Sequence, residues 1–274
     1  MILVTGASGN VGSEVVAALA ARGAPVRAVV REPARVSLPS DIVAGDLELP
    51  ESLTPALDGV DAVFLLGGWS DMPGIVARIE NAGARRVVLL TSRCVIGGKP
   101  DNAVTRTWLD AEAAVRASGL KTTILRPSGF QSNALRWRDQ LRDGDVIRAP
   151  WPDVPIAAID PADIAAVAAV ALTDGATPEL ELSGPEAMLP AGQVAILGET
   201  LDRPLRYEPL ADDPARQEML AAGTPAPIVD ALFRFFSDGE YDDSPVVDTV
   251  RAVTGRPPGS FVDWARGHAD AFAA

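Results

Sequence analysis

At 274 residues the chain is long enough for a sizeable core and suits one two-lobed unit or two small domains. Its net charge of −13 argues against a nucleic-acid footprint and against anionic membranes, and no apolar run is long enough to span a bilayer. One cysteine, Cys94, excludes an internal disulfide and a thiolate metal cluster; one histidine, His268, would leave any metal site or Ser-His-Asp triad resting on the C-terminal tail, so no metal is expected. Met1 abuts the first strand and leaves no room for a targeting peptide, which makes a cytoplasmic location the expectation. Lysine occurs only at Lys99 and Lys121, so a cation needed elsewhere will be an arginine.

The opening run Met1–Val4 is apolar and too short for anything but a buried strand. It turns through Thr5-Gly6-Ala7-Ser8-Gly9-Asn10-Val11-Gly12 and leaves as a helix over Val11–Arg22. Strand, glycine turn and helix N-terminus in that order make an anion cradle, because the first-turn N–H groups and the positive end of the dipole point at one spot. Gly6 permits the turn, Gly9 lets the backbone approach a pyrophosphate, and Gly12 lets helix and strand pack closely. The spacing is Gly-x-x-Gly-x-x-Gly, not the usual Gly-x-Gly-x-x-Gly. Dinucleotide binding is the reading it supports, against a tight turn with no ligand.

Pro25–Arg31 is predicted as the second strand, and its end reports on the adenosine ribose. An acidic residue there selects NAD(H), whereas arginine suits the extra phosphate of NADP(H). Here Arg31 ends the strand and Arg35 follows, with Glu32 between them, so NADP(H) is expected ahead of NAD(H); the plain alternative is a solvated Arg31. A third strand is predicted over Asp41–Gly45. Asp46 beyond it either contacts the adenine amino group or is a turn aspartate. Leu53–Leu57 suits a short helix, Ala62–Leu66 a fourth strand ending in Gly67-Gly68, Pro73–Arg85 a helix, and Arg86–Thr91 the fifth strand. Thr107–Ala117 is the next predicted helix, with Gly119 as a left-handed stop, and Thr122–Arg126 the sixth strand, ended by Pro127.

This alternation predicts an α/β, Rossmann-type, doubly wound parallel sheet with ligands at the strands' C-terminal ends. Beyond Phe130 the rhythm breaks. A Trp-bearing helix over Ser132–Leu141, a strand over Asp145–Ala149 and a loop over Trp151–Pro155 precede an apolar helix capped by Asp160, with Pro161 at its first position. Leu180–Pro185 suits another strand and turn, and the remainder is mostly helical. The expected division is a cofactor-binding domain over 1–129, to which segments near 156–185 return, and a smaller, mostly helical substrate lobe over 130–274.

On Thr5–Gly12, Ser118–Phe130, Ile159–Ala165, Leu182–Pro185 and Thr254–Pro258, the chain resembles the atypical, NmrA-like branch of the short-chain dehydrogenase/reductases. The resemblance implies NADP(H) or NAD(H) held by Gly6, Ala7, Ser8, Gly9, Asn10, Val11, Arg31, Arg35, Asp46, Leu47, Leu66, Gly67, Gly68, Thr91, Ser92, Pro127 and Phe130. It implies a substrate cleft between the lobes. Typical members use a Tyr-x-x-x-Lys pair as proton donor, but the matching positions are Val104 and Trp108, and no such pair exists anywhere in the chain. Catalytic residues are therefore left unassigned. Isoflavone-reductase-like relatives use a lysine on this helix, and Trp108 replaces that too. The chain is in this respect similar to the tyrosine-less ketoreductases that tailor aromatic polyketides.

Trp69, Trp108, Trp137, Trp151 and Phe130 either line a pocket for a flat apolar substrate or serve as packing. Ser92, Asn102, Gln131 and Asn133 either orient a substrate oxygen or act as caps, turns or cofactor contacts. The expectation is an NADPH-dependent reductase of a bulky ketone, quinone or enone, acting on a small molecule, polycyclic or quinoid, with no nucleic-acid or membrane partner. The alternative is a non-catalytic NAD(P)-binding sensor with a protein partner.

Overall fold

In the computed structural model, which describes residues 1–272, the apolar runs become β1 (Ile2–Val4), β2 (Val26–Val30), β3 (Asp41–Ala44), β4 (Ala62–Leu66), β5 (Arg86–Leu90) and β6 (Lys121–Pro127). With β8 (Glu179–Leu182) they form one sheet in the order β3-β2-β1-β4-β5-β6-β8, every neighbouring pair parallel. The order reverses direction between β1 and β4, the switch point at which open parallel sheets form a ligand crevice outside the strands' C-terminal ends.

The side-chain alternation of the strands fills two layers. Ile2, Val4, Phe64, Val88 and Leu90 face α1 (Asn10–Ala21) and α6 (Pro161–Thr173). Leu3, Val63, Leu65, Val87 and Leu89 face α2 (Met72–Asn81) and α4 (Ala103–Arg116), the latter preceded by the single turn α3 (Cys94–Gly97). α6 is apolar nearly all round, as its burial between α1 and the sheet demands. It starts as the sequence indicates: Asp160 Oδ1 accepts the Ala162 amide at 2.8 Å, and Pro161 occupies the first turn.

Several boundaries differ from the sequence reading, each for a local reason. α4 begins at Ala103, not Thr107, because Asn102 Oδ1 accepts the amides of Val104 and Thr105 at 3.0 and 3.4 Å. α2 stops at Asn81, short of Arg85, because the chain turns left-handed at Gly83 (φ 88°). Gly119 is not a left-handed stop; its N–H donates to Glu80 Oε1 at 2.9 Å. The stretch read as one helix over Ser132–Leu141 divides into a 3₁₀ turn, Gln131–Trp137, and α5 (Arg138–Asp143).

The remaining chain adds β7 (Val146–Ala149), α7 (Pro190–Leu201), β9 (Arg206–Pro209), α8 (Asp212–Ala221), α9 (Ala226–Phe236), α10 (Thr249–Thr254) and α11 (Phe261–Gly267). β9 pairs with β7 in parallel and has no counterpart in the sequence reading. α7, α11, Ala134, Leu141 and Ile147 share one small core, while Trp151 joins α8 and α9 in another. α10 returns to pack on α6. Among the described residues no helix is long and apolar enough to cross a membrane, and no group of three or more His, Cys, Asp or Glu could hold a metal ion.

Candidate active site

The glycine turn is held to the sheet by the buried Thr5, whose Oγ1 donates to the Phe64 carbonyl at 3.0 Å and accepts the Leu66 amide at 2.9 Å. Gly6 takes φ 61°, and a Cβ there would come within 3.0 Å of Leu66 Cδ2. A Cβ on Gly12 would overlap the Gly6 carbonyl oxygen. Ala7 and Val11 are buried beneath the turn, while Ser8, Gly9 and Asn10 are open to solvent. Gly9 caps α1 without a side-chain hydrogen bond, the first turn holds no acid, and the amides of Asn10, Val11 and Gly12 donate to no acceptor among the described residues. Free amides at an acid-free helix N-terminus fit a pyrophosphate.

One strand away, Arg31 is exposed at the tip of β2 and pairs with no carboxylate among the described residues. Glu32 neutralises Arg35 instead, at 2.8 Å. That leaves Arg31 as the free guanidinium beside the crevice. Asp46 Oδ1 accepts the Glu48 amide at 3.0 Å and so closes a turn, and Leu47 is buried in the core beneath the sheet. Replacing Arg31 with alanine should weaken NADPH binding about tenfold or more, the size of a charge-assisted contact, with little effect on NADH. Fluorescence titration with both nucleotides checks this, and equal losses would show that Arg31 does not read the extra phosphate.

At the other end of the crevice, Leu66, Gly67 and Gly68 close β4. A Cβ on either glycine would stand 3.3 Å from Trp108 Cζ3, so the indole lies against this turn. Val104 sits half-buried in the first turn of α4. Neither position offers a proton. Thr91 turns its hydroxyl away from the crevice, donating to Glu112 Oε1 at 3.1 Å. Ser92 Oγ accepts the Cys94 amide at 3.3 Å, and burial pushes the Cys94 thiol up to about 11. Pro127 ends β6, and Phe130 packs partly on the main core.

The substrate candidates separate. Asn102 is fully buried and spent: besides capping α4, its Nδ2 donates to the Ala231 carbonyl at 3.0 Å, fastening α9. It is a cap, not a substrate ligand. Trp137 packs into the core of α7 and α11, and Trp151 lies among Phe233 and Phe236 with its indole N–H on Ser237 Oγ at 3.0 Å. Both are packing residues. Gln131 is buried, its Nε2 donating to the Ala158 and Gly259 carbonyls at 3.2 and 3.1 Å. Trp69, together with Gly68, lines a groove of about 880 Å³ along α2 and α4. Phe130 and Asn133, with Gly129, line a small cavity of about 70 Å³ beyond β6.

A buried cluster behind this edge went unread in the sequence. Asp243 accepts the Gly129 amide at 2.7 Å through Oδ2 and the Tyr241 hydroxyl at 2.7 Å through Oδ1. Arg93 Nη1 donates to the Pro245 carbonyl at 2.7 Å and lies 4.0 Å from Asp243 Oδ1. Burial raises the Asp243 carboxyl and the Tyr241 phenol alike. Tyr241 donates its hydroxyl proton to Asp243 in this hydrogen bond and stands outside α4, where the family's tyrosine would lie. Asp243, through the Gly129 amide, binds the 240s segment to the chain just beyond β6. Inside α4, Glu112 is fully buried and takes Arg126 bidentately at 2.8 and 2.7 Å, with Arg116 at 2.8 Å.

A glycine turn with free amides, a parallel sheet that reverses at that turn and an arginine on the next strand define a Rossmann-type dinucleotide-binding protein. Residues 6–175 match the NAD(P)H-binding family model. The chain belongs to that family, in its NmrA-like, atypical short-chain dehydrogenase/reductase branch, and is an oxidoreductase that uses NAD(P)H. It is 41% identical to the (4-alkanoyl-5-oxo-2,5-dihydrofuran-3-yl)methyl phosphate reductase of Streptomyces griseus, over 100% of this chain and 99% of the relative. It is 34% identical to the NAD(P)H azoreductase of Xenophilus azovorans, over 100% of both. Among solved structures, the NADPH-dependent quinone oxidoreductase of Escherichia coli superposes with a TM-score of 0.78 at 22% identity, covering 97% of this chain and 99% of the other. The Citrobacter triphenylmethane reductase complexed with NADP(H) gives 0.76 at 18%, covering 97% and 100%.

Proposed function

We propose that the chain reduces a bulky conjugated carbonyl compound, a quinone, enone or aromatic ketone, with NADPH and without a tyrosine–lysine proton donor. The observation that carries this reading is Trp108: an indole lies against the Gly67-Gly68 turn where the family's lysine would stand, with Val104 at the tyrosine position. Bound NADPH supplies the hydride. The chain's residues then have two tasks. The amides of Asn10 and Val11 and the guanidinium of Arg31 anchor the nucleotide, and Trp108 and Phe130 offer apolar surface to a flat acceptor. Positioning alone lowers the barrier substantially when the reacting atoms are held close. A conjugated acceptor spreads the developing charge over its own framework, so its proton comes from solvent or from a neighbouring substrate hydroxyl.

The curated relatives support this choice of substrate class. One is named for an unsaturated furanone bearing a phosphate ester, the other for azo compounds. The lobe built from α7, α8, α9 and α11 is read as the substrate-binding part. The test is NADPH oxidation with naphthoquinone, menadione and an acyl butenolide, set against a saturated aliphatic ketone. Turnover of the conjugated acceptors is expected, with none of the saturated ketone. Tight NADPH binding without turnover of any conjugated acceptor would favour the sensor reading instead.

A further inference from the structure

Residues 127–133 run from the end of β6 into the 3₁₀ turn and are tied directly to the glycine turn, where Asn10 Nδ2 donates to Ser132 Oγ at 3.3 Å. The free amides of the glycine turn seat a pyrophosphate beyond β1, and Arg31 at the tip of β2 draws the adenosine end to that side. The side of the edge formed by β4, β5 and β6 is left for the nicotinamide half, with Gly129 and Phe130 as its wall. Phe130 packs partly against the core cluster that includes Ala7 and Val11 beneath the glycine turn.

The backbone of this wall is held from two sides. On one side the ties are main chain to main chain: the Gly129 carbonyl accepts the Ile159 amide at 2.8 Å, and the Gln131 amide donates to the Ile159 carbonyl at 2.9 Å. On the other side the tie is a side chain 114 positions away, with the Gly129 amide donating to Asp243 Oδ2 at 2.7 Å. Asp243 is only 5% exposed and is itself fixed. Its Oδ1 accepts the Tyr241 hydroxyl at 2.7 Å, and the Arg93 guanidinium, donating to the Pro245 carbonyl, stands 4.0 Å from the same oxygen. The segment around Asp243 has a separate hold, because the Asp243 main-chain carbonyl accepts the Ala157 amide at 2.9 Å. Burying an acid is costly, and what this one adds is an immobile acceptor for Gly129. The fit is close as well: a Cβ on Gly129 would stand 3.0 Å from Ile156 Cγ2 and 3.5 Å from Asp243 Oδ2.

We propose that Asp243 is a positioning residue for the nicotinamide half of the dinucleotide, an assignment that rests on reading this edge as the site of reduction. By accepting the Gly129 amide, the carboxylate sets the Gly129–Phe130 wall before the nucleotide arrives, so the ring meets a surface that needs no further ordering. Without that acceptor the wall divides its time among several positions, and apparent affinity falls by the fraction spent in the competent one. Only the half of the nucleotide that touches the wall feels this loss. The adenosine and the pyrophosphate, held at Arg31 and the glycine turn, do not.

The test is calorimetric titration with NADPH and with 2′-phospho-ADP-ribose, the same nucleotide without its nicotinamide, for the wild type, Asp243→Ala, Asp243→Glu and Asp243→Asn. The wild type should bind NADPH at least about tenfold tighter than the truncated nucleotide. Asp243→Ala should weaken NADPH about tenfold and leave the truncated nucleotide within about twofold. Asp243→Glu keeps the charge but carries it one methylene further, so it should show the same selective loss, and it decides the matter if Asp243→Ala does not fold. Asp243→Asn should stay within about threefold of wild type for both ligands, because its side-chain carbonyl can still accept the Gly129 amide. Unchanged NADPH affinity in the alanine and glutamate variants overturns the proposal, as does a wild type that binds both ligands equally. Equal losses for the two ligands overturn it too, by making Asp243 a tie of the fold alone. An asparagine variant as weak as the alanine one overturns it by assigning the effect to the charge. Every readout is binding, so a protein that shows the expected pattern yet reduces no quinone or enone would sink the reductase reading and leave this assignment standing.

Discussion

Replacing Gly12 with alanine should lower NADPH affinity by about a hundredfold or more and cost about 2–4 kcal/mol of stability. The new Cβ would overlap the Gly6 carbonyl oxygen and lie 2.6 Å from Gly6 C and 2.9 Å from Ala7 Cα. These are backbone atoms, so no side chain can rotate to make room. Either α1 moves off β1 or the turn itself deforms. Moving α1 opens its buried face, Val15, Val16 and Leu19, against α6. Deforming the turn displaces the free amides of Asn10 and Val11 from a common point. Both routes damage the anion cradle, and the first also loosens the main core. Gly23 is the control: it has a positive φ of 69° but nothing within 4 Å of its Cβ position, so alanine there should cost only about 1 kcal/mol and leave nucleotide binding intact. Urea unfolding and nucleotide titration of both variants decide the matter. Retention of wild-type NADPH affinity by Gly12→Ala would refute the packing account of this glycine.

The second large effect belongs to Glu112. Substituting leucine for it leaves Arg126, Arg116 and the Thr91 hydroxyl without their shared acceptor, Thr91 being buried and Arg126 nearly so. Breaking one partner of a buried pair in this way typically costs about 3–5 kcal/mol. Removing both ends avoids stranding a charge, so the Glu112→Leu, Arg126→Leu double variant should recover most of the loss. Arg126 also reaches Glu179 at 2.7 Å on the edge strand β8, so the recovery will fall short of wild type. Denaturant melts of the two singles and the double test this as a cycle. A Glu112→Leu protein within about 1 kcal/mol of wild type would mean that the network is stabilised by little more than an exposed pair.

The parts of this fold that could be read from sequence are those whose cause is local. Ala62–Leu66 is a strand because five apolar residues fit nothing else between an aspartate and two glycines. Asp160 and Pro161 start α6 because capping and a fixed φ act within one turn. Asn102 shows the limit of the same logic. A polar residue before a helical stretch can be a cap or a ligand, and Ala231, which settles its second bond, is 129 positions away. β9 was missed because Arg206–Pro209 is polar and ends in proline, and is extended only because β7 is there to pair with it. Asp243 closes an acidic run that looks solvated; its burial depends on Gly129 and Tyr241, and only the first of these lies far off in sequence. Trp137 and Trp151 bear on the same point: an aromatic in an irregular stretch signals burial but not which cavity it fills.

The path of the backbone bears on how such a protein can diversify. The chain leaves the sheet after β6, comes back for α6 and β8, leaves again through α7 to α9, and returns once more for α10 before α11 completes the outer layer. No single cut separates the seven-stranded sheet and its glycine turn from the smaller core shared by α7 and α11. Exchanging the smaller core as one contiguous cassette would therefore sever α6 and β8 from the sheet they complete.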